Sequence, residues 1–226
     1  MICRFRKLIG AEELNKHMGS SGVKVIKECV FMQILERNSA GVFQISAEAK
    51  LLDERKIFIK GELNDESVSL FFKQMLLLNK NNQENIITVI IDSPGGVVQA
   101  GLVMLDIMLG SKAPVRTVCV NRAYSMAAIL FACGAEERWI LPEGRIMLHQ
   151  PLIGGQIEGN SSTILSLADT LVATKEKVNT ILSKRTGKTL EEIEEATSYD
   201  HYFSAQDALA YNLADRICAF YEIVEG

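Results

Sequence analysis

The sequence predicts an α/β fold with a mainly parallel sheet, because apolar runs of strand length alternate along the chain with stretches of helical periodicity. Residues 86–91 (IITVII) form the clearest run, and a continuous apolar stretch is typical of a strand covered on both faces. Before it, apolar side chains recur at helical spacing after Asn64 and Asp65, either of which can cap a helix. Strands that alternate with helices favour right-handed crossovers and parallel pairing.

The other predicted elements continue this alternation. In chain order they are a hairpin from 30–35 and 41–45 around Asn38-Ser39-Ala40-Gly41, a strand at 56–60, a helix at 98–109, a strand at 115–120, a helix from 125, and strands at 139–141 and 146–148. A long helix at 161–185 follows, capped by Ser or Thr and ended by Gly187. After an acidic helix at 190–196, Ser204 and Asp207 make a capping-box-like start for a last helix to about Tyr211.

Composition sets limits on the class of protein. Of the 226 residues, 48% are hydrophobic and 23% are charged, which is a globular balance, and the net charge of −4 argues against a nucleic-acid binder that relies on phosphate contacts. Five cysteines without a CxxC pair or a Cys/His cluster indicate neither a zinc site nor a disulfide framework. The N-terminus lacks the apolar stretch of a secretory signal, so we expect a cytoplasmic protein without membrane contact.

Residues 1–44 differ from the rest. Up to Glu28 they hold six Lys/Arg against three acidic residues, and Gly19-Ser20-Ser21-Gly22 interrupts them. We therefore predict an N-terminal extension at 1–44, containing the hairpin, and one domain at 45–226.

The long helix carries a wide apolar stripe that needs a cover. Its members are Ile164, Leu165, Leu167, Ala168, Leu171, Val172, Val178, Ile181 and Leu182. Two interpretations stay open: the stripe packs on another subunit, or it belongs to the core of the same chain.

Four short motifs could carry chemistry, and each also has a plain structural interpretation. Ser93-Pro94-Gly95-Gly96 follows an apolar strand, where glycine N–H groups can face a phosphate or an oxyanion, but it can equally be an ordinary turn and is not a P-loop. Ser125 is the first residue of a predicted helix and is either a nucleophile or an ordinary N-cap. His149 ends a strand and is either a general base or a loop residue. Asp200 precedes a helix and is either the partner of that base or a turn residue.

Taken together and in this order, the motifs resemble those of the ClpP family of serine peptidases. The resemblance rests on SPGG at 93–96, Tyr-Ser-Met at 124–126, RIMLHQP at 145–151, Asp200, and Phe-Ser-Ala at 203–205, and it extends over about 45–218. It implies a ClpP/crotonase-like fold of repeated β-β-α units, with a mainly parallel sheet and a protruding handle helix.

The resemblance also implies roles for individual residues. Ser125 matches the nucleophile, His149 the general base, and Asp200 the residue that orients the base. The N–H groups of Gly96 and Met126 match the oxyanion hole. The substrate-binding strand of the family matches a short segment that includes Gln150, Pro151, Leu152 and Gly154.

Partners follow from the resemblance as well. It implies self-association into two stacked heptameric rings, a tetradecamer, with or without a paralogue, in which the long helix interlocks the rings. An AAA+ unfoldase of the ClpX, ClpA or ClpC type would deliver unfolded polypeptides and would bind the ATP, so this chain is expected to need neither cofactor nor metal. The hairpin matches the axial pore loops, and residues 1–29 resemble a propeptide or an extension.

Two departures keep other functions open. Ala127 stands where the family usually has glycine, and Ser198-Tyr199 replaces an acidic-basic pair. These changes suggest, as an alternative, a catalytically idle or regulatory subunit of a mixed ring. A crotonase-like acyl-CoA enzyme shares the fold and the glycine-rich turn, but it usually has a carboxylate base instead of a Ser/His/Asp set.

Overall fold

Strands and helices alternate along the part of the chain that the computed structural model describes, which is residues 33–38, 41–154 and 158–225. The strands are β1 (Gln33–Asn38), β2 (Gly41–Ser46), β3 (Lys56–Lys60), β4 (Ile87–Ser93), β5 (Val115–Tyr124), β6 (Arg138–Ile140), β7 (Arg145–Leu148), β8 (His201–Phe203) and β9 (Arg216–Ile217). The helices are α1 (Ala47–Asp53), α2 (Asp65–Asn81), α3 (Val98–Leu109), α4 (Met126–Ala132), α5 (Ser161–Thr186), α6 (Leu190–Thr197), α7 (Ala205–Ala210) and α8 (Phe220–Glu225).

One mainly parallel sheet organises these elements. Its strands lie in the order β3-β4-β5-β6-β9, all parallel, while β7 runs parallel to the end of β5 and carries the antiparallel β8 on its other side. The long strand β5 therefore forks: its residues 117–119 pair with β6, and residues 122–124 pair with β7. The predicted α/β class with a mainly parallel sheet is confirmed.

Most of the predicted elements are present. Strand 56–60 and helix 98–109 have the predicted bounds, and Asn64 caps α2 by accepting the N–H of Ser67. The hairpin is present as β1 and β2, although the start of the predicted strand 30–35 lies outside the described residues, as do the propeptide-like residues 1–29. The domain division at residues 44 and 45 stays a prediction.

One capping prediction is wrong, and four elements were not predicted. Asn160, rather than a Ser or Thr, caps α5, because its side chain accepts the N–H of Thr163 at 3.0 Å. The short elements α1, β8, β9 and α8 have too few residues to show a period in the sequence.

The centre of the fold is α4, a helix that follows directly from the sheet. All seven of its residues are buried, between the sheet and the neighbouring helices α3 and α5. Cys119 and Cys133 are free and buried, and they pack in the core as small hydrophobic residues. Burial raises the pKa of Cys119 to about 12, so its thiol stays protonated at neutral pH.

The long helix α5 divides into two halves with different surroundings. Residues 161–170 are exposed throughout, including Leu165 at 65%, whereas Val178 and Leu182 are buried in the core. The C-terminal half of the stripe therefore belongs to the core of this chain, and the N-terminal half is exposed, without a cover from the part of the chain that the structure describes. None of the described helices combines the length and the apolar character needed to span a bilayer.

A buried arginine joins three distant segments beside the sheet. The side chain of Arg138, only 8% exposed, donates from Nε to Asp215 at 2.9 Å and also forms an ion pair with Asp215 through Nη2. Its Nη1 donates to the carbonyls of Asn212 at 2.8 Å and Arg185 at 3.2 Å. Burial acts to raise the pKa of Asp215, but the hydrogen bonds and charge of Arg138 outweigh burial and hold the pKa below its ordinary value.

Candidate active site

Ser125 lies at the turn from β5 into α4, in a backbone conformation that non-glycine residues rarely adopt. Its φ is 55° and its ψ is −127°. The turn is held from both sides, because the N–H of Ser125 donates to the carbonyl of Met147 at 2.8 Å and its carbonyl accepts from Ala128 at 2.9 Å. Such a conformation costs about 1–3 kcal/mol and persists where neighbouring structure enforces it, most often at functional sites.

The side chains of Ser125, His149 and Asp200 lie in series, the first two in hydrogen-bond contact and the last two at ion-pair distance. His149 Nε2 lies 2.7 Å from Ser125 Oγ, and His149 Nδ1 lies 3.2 Å from Asp200 Oδ1. The imidazole is largely covered, with 17% of its side chain exposed, whereas Asp200 is 58% exposed. This geometry can pass a proton from the hydroxyl to the imidazole while the carboxylate stabilises the resulting charge.

Strand pairing accounts for this meeting of residues that are far apart in sequence. His149 directly follows β7 and Asp200 directly precedes β8, and these strands pair antiparallel with Leu148 opposite His201. His149 and Asp200 are therefore opposite one another. The parallel pairing of β5 with β7, with Tyr124 beside Met147, brings Ser125 to the same end of the strands.

Gly95 and Gly96 bring backbone close to Ser125. Leu63 forms a parallel bridge with Gly96, in which its N–H donates to the Gly95 carbonyl and its own carbonyl accepts from Val97, both at 2.9 Å. In this pattern the N–H of Gly96 points away from Leu63. Both glycines have positive φ, and a Cβ would lie 2.7 Å from Ser125 Cβ at Gly95 and 2.4 Å from the Leu63 carbonyl oxygen at Gly96.

Met126 is the first residue of α4, so its N–H has no acceptor within the helix. Its side chain lies in space left by Gly101 on α3, where a Cβ would come within 2.1 Å of Met126 Cγ. Gly101 was not among the predicted site residues, although a glycine inside a helix often indicates close packing. This packing holds Met126 in position, and with it the N–H group next to Ser125.

The segment after His149 is extended and accessible. The N–H of Gln150 donates to the Thr197 carbonyl at 2.8 Å, Pro151 is half-buried, and Leu152 and Gly154 are exposed. Among the described residues, the backbone groups of 152–154 make no hydrogen bond. They are therefore able to pair with another extended chain.

Neither departure in the sequence disturbs the contacts described above. Ala127 is fully buried in α4, and the Ser125–His149 distance of 2.7 Å is reached with this alanine in place. Ser198 Oγ donates to the Glu194 carbonyl at 2.6 Å, and the side chain of Tyr199 is 87% exposed. Both residues of the replaced pair are thus accessible at the surface.

Comparison with protein families gives a match that covers most of the chain. The family model described as Clp protease matches residues 39–220. The chain belongs to the Clp protease family. By family it is a ClpP-like serine peptidase, as its sequence motifs predicted.

Proposed function

We propose that this chain is a serine endopeptidase subunit of a ring-shaped, ATP-dependent protease, which hydrolyses unfolded polypeptides delivered by an AAA+ unfoldase of the ClpX, ClpA or ClpC type. The observation that carries the proposal is the series Ser125–His149–Asp200, with separations of 2.7 Å and 3.2 Å. A serine hydroxyl within hydrogen-bonding distance of an imidazole, itself oriented by a carboxylate, is the arrangement that activates a serine nucleophile.

In the proposed reaction, Ser125 Oγ attacks the scissile carbonyl carbon while His149 Nε2 accepts its proton. Asp200 stabilises the imidazolium, which then protonates the leaving amine, and an acyl-enzyme remains on Ser125. Water, deprotonated by His149, hydrolyses this ester and releases the second product. The 2.7 Å separation of Ser125 and His149 supports this assignment because it allows direct proton transfer.

The backbone N–H groups of Gly96 and Met126 are the proposed oxyanion hole. The N–H of Gly96 points away from Leu63, and that of Met126 is free of any helical acceptor, so both are available to a ligand near Ser125. Preorganised donors of this kind stabilise the negative oxygen of a tetrahedral intermediate.

Substrate would bind as an added strand along the segment from Gln150 to Gly154. The accessible backbone of 152–154 supports this, because main-chain pairing holds a peptide irrespective of its sequence. Such binding suits a protease for varied unfolded chains. The exposed N-terminal half of α5, with Ile164, Leu165 and Val172 uncovered, supports association into stacked heptameric rings.

Active-site labelling tests the proposed function. A fluorophosphonate is expected to modify the purified protein at Ser125, as read by peptide mass spectrometry, and Ser125→Ala should remove the label. Ser166→Ala, which changes an exposed serine of α5, is the matched control and should label normally. Absence of label at Ser125, both alone and with an AAA+ unfoldase present, would contradict an active peptidase and favour an idle subunit.

Gly96→Ala is expected to lower kcat by about 10²–10³, the usual cost of losing one oxyanion-hole donor. The new Cβ would overlap the Leu63 backbone, so the loop at residue 96 must shift. The N–H of residue 96 would then point away from the oxyanion. Hydrolysis of a short fluorogenic peptide measures the loss. Gly187→Ala is the control: its φ of 73° is also positive, but its Cβ meets nothing within 4 Å, so kcat should not change. Near-normal kcat in Gly96→Ala would argue against the role of this N–H.

A further inference from the structure

Two tyrosine rings connect the strand of Ser125 with the strand of Asp200. The rings of Tyr124 and Tyr202 meet edge to face, with centroids 5.6 Å apart and planes at 87°. Tyr124 pairs with Met147 across β5 and β7, and Met147 pairs with Tyr202 across β7 and β8. The two rings thus make contact across the intervening strand.

The contact lies on the face of the sheet that carries the His149–Asp200 pair. Side chains two residues apart in an extended chain point to the same face. His149 follows Met147 by two residues, and Asp200 precedes Tyr202 by two residues. Tyr124, in turn, is bonded directly to Ser125. One ring contact therefore connects the turn of the serine with the strand that presents the carboxylate.

Asp200 has little else to hold it on this face. Its side chain is 58% exposed, and among the described residues its only polar partner is His149. Strand β8 has three residues and, of the described strands, pairs only with β7, so few hydrogen bonds hold it. Phe203 is buried and anchors β8 on the opposite face, where it stacks with His201 at 4.3 Å. The ring of Tyr202 supplies the side-chain packing on the face of Asp200.

We propose that Tyr124 and Tyr202 are a positioning pair, whose ring contact holds the Asp200 carboxylate in line with His149. This inference rests on the proposed function, because it concerns the same three side chains. Neither tyrosine hydroxyl hydrogen-bonds to another described residue, so the packing of the rings carries the effect. A displacement of about 1 Å in a catalytic group can cost about 10²-fold in rate.

The test separates positioning from substrate binding and from general stability. Tyr202→Leu and Tyr124→Leu are each expected to lower kcat for a short peptide by about 10–10²-fold, with KM nearly unchanged. The rate of fluorophosphonate labelling at Ser125 should fall in parallel. Tyr202→Phe and Tyr124→Phe keep the rings and should restore both rates. Tyr199→Leu, which alters an 87% exposed tyrosine next to Asp200, is the matched control and should leave both rates unchanged.

Repeating the Tyr202 substitution in the Asp200→Asn variant tests whether the rings act through Asp200. In Asp200→Asn, the further change Tyr202→Leu is expected to have no additional effect on kcat, because the carboxylate is already lost. An equal loss in both backgrounds, a change confined to KM, or unchanged kcat would overturn the proposed pair. A wild-type chain that never labels at Ser125 would instead contradict the proposed function itself. Circular dichroism confirms that each variant is folded.

Discussion

Replacing Ser125 by alanine, His149 by alanine, or both together is expected to lower kcat by the same factor, about 10⁶, as found when a nucleophile and its base act as one unit. The reason is the 2.7 Å contact between Oγ and Nε2. Without the imidazole the hydroxyl keeps its proton, and without the hydroxyl the imidazole has nothing to activate. Once either side chain is lost, the activation of the hydroxyl is already gone, so the second substitution causes no further loss of rate.

The three variants are compared by long incubations with an activated peptide ester, which keeps a small residual rate measurable. His201→Ala is the matched control, because His201 is an exposed histidine next to Asp200 that stacks on Phe203. We expect its kcat to stay within about threefold of wild type, since it contacts neither reacting group. A double variant whose loss is the product of the single losses would contradict the proposed unit.

The sequence was most informative where chemistry and local structure coincide. Ser125 opens a predicted helix, His149 follows a predicted strand, and Asp200 precedes the capped start of the last predicted helix, so the motifs could indicate all three. Helix periodicity likewise gave the bounds of α3, because twelve residues are enough to show a period. The bounds of α3 needed only residues that are near one another in the chain, whereas the roles of the three site residues came from the order of several motifs over about 45–218.

The features that hold the site could not be predicted in this way. The bridge between Leu63 and Gly96 joins residues 33 positions apart, and no local pattern indicates which backbone Gly96 must approach. The positive φ of Ser125 depends on its hydrogen bond to Met147, not on the serine itself. Strands β8 and β9 have three and two residues, too few to show a strand pattern in the sequence. They are recognised by their pairing with β7 and β6.

Asp215→Ala is expected to lower the free energy of unfolding by about 3–5 kcal/mol, the cost of leaving a buried charge without its partner. The side chain of Arg138 is 8% exposed and that of Asp215 is 35% exposed, so the loss of the carboxylate leaves the more deeply buried group uncompensated. At about 2–4 °C per kcal/mol for a domain of this size, Tm should fall by about 6–20 °C. Thermal unfolding at a fixed protein concentration measures it.

The double variant Arg138→Met/Asp215→Ala should be more stable than Asp215→Ala alone, because no buried charge remains when both members of the pair are removed. Asp92→Ala serves as control: Asp92 pairs with Arg122 at 3.6 Å, and that arginine is 44% exposed, so its loss should cost at most about 1 kcal/mol. If the double variant were less stable than Asp215→Ala, Arg138 would stabilise the fold through its bonds to the Arg185 and Asn212 carbonyls rather than through its charge. The order of the two Tm values thus separates the ionic from the hydrogen-bonding role of the same side chain.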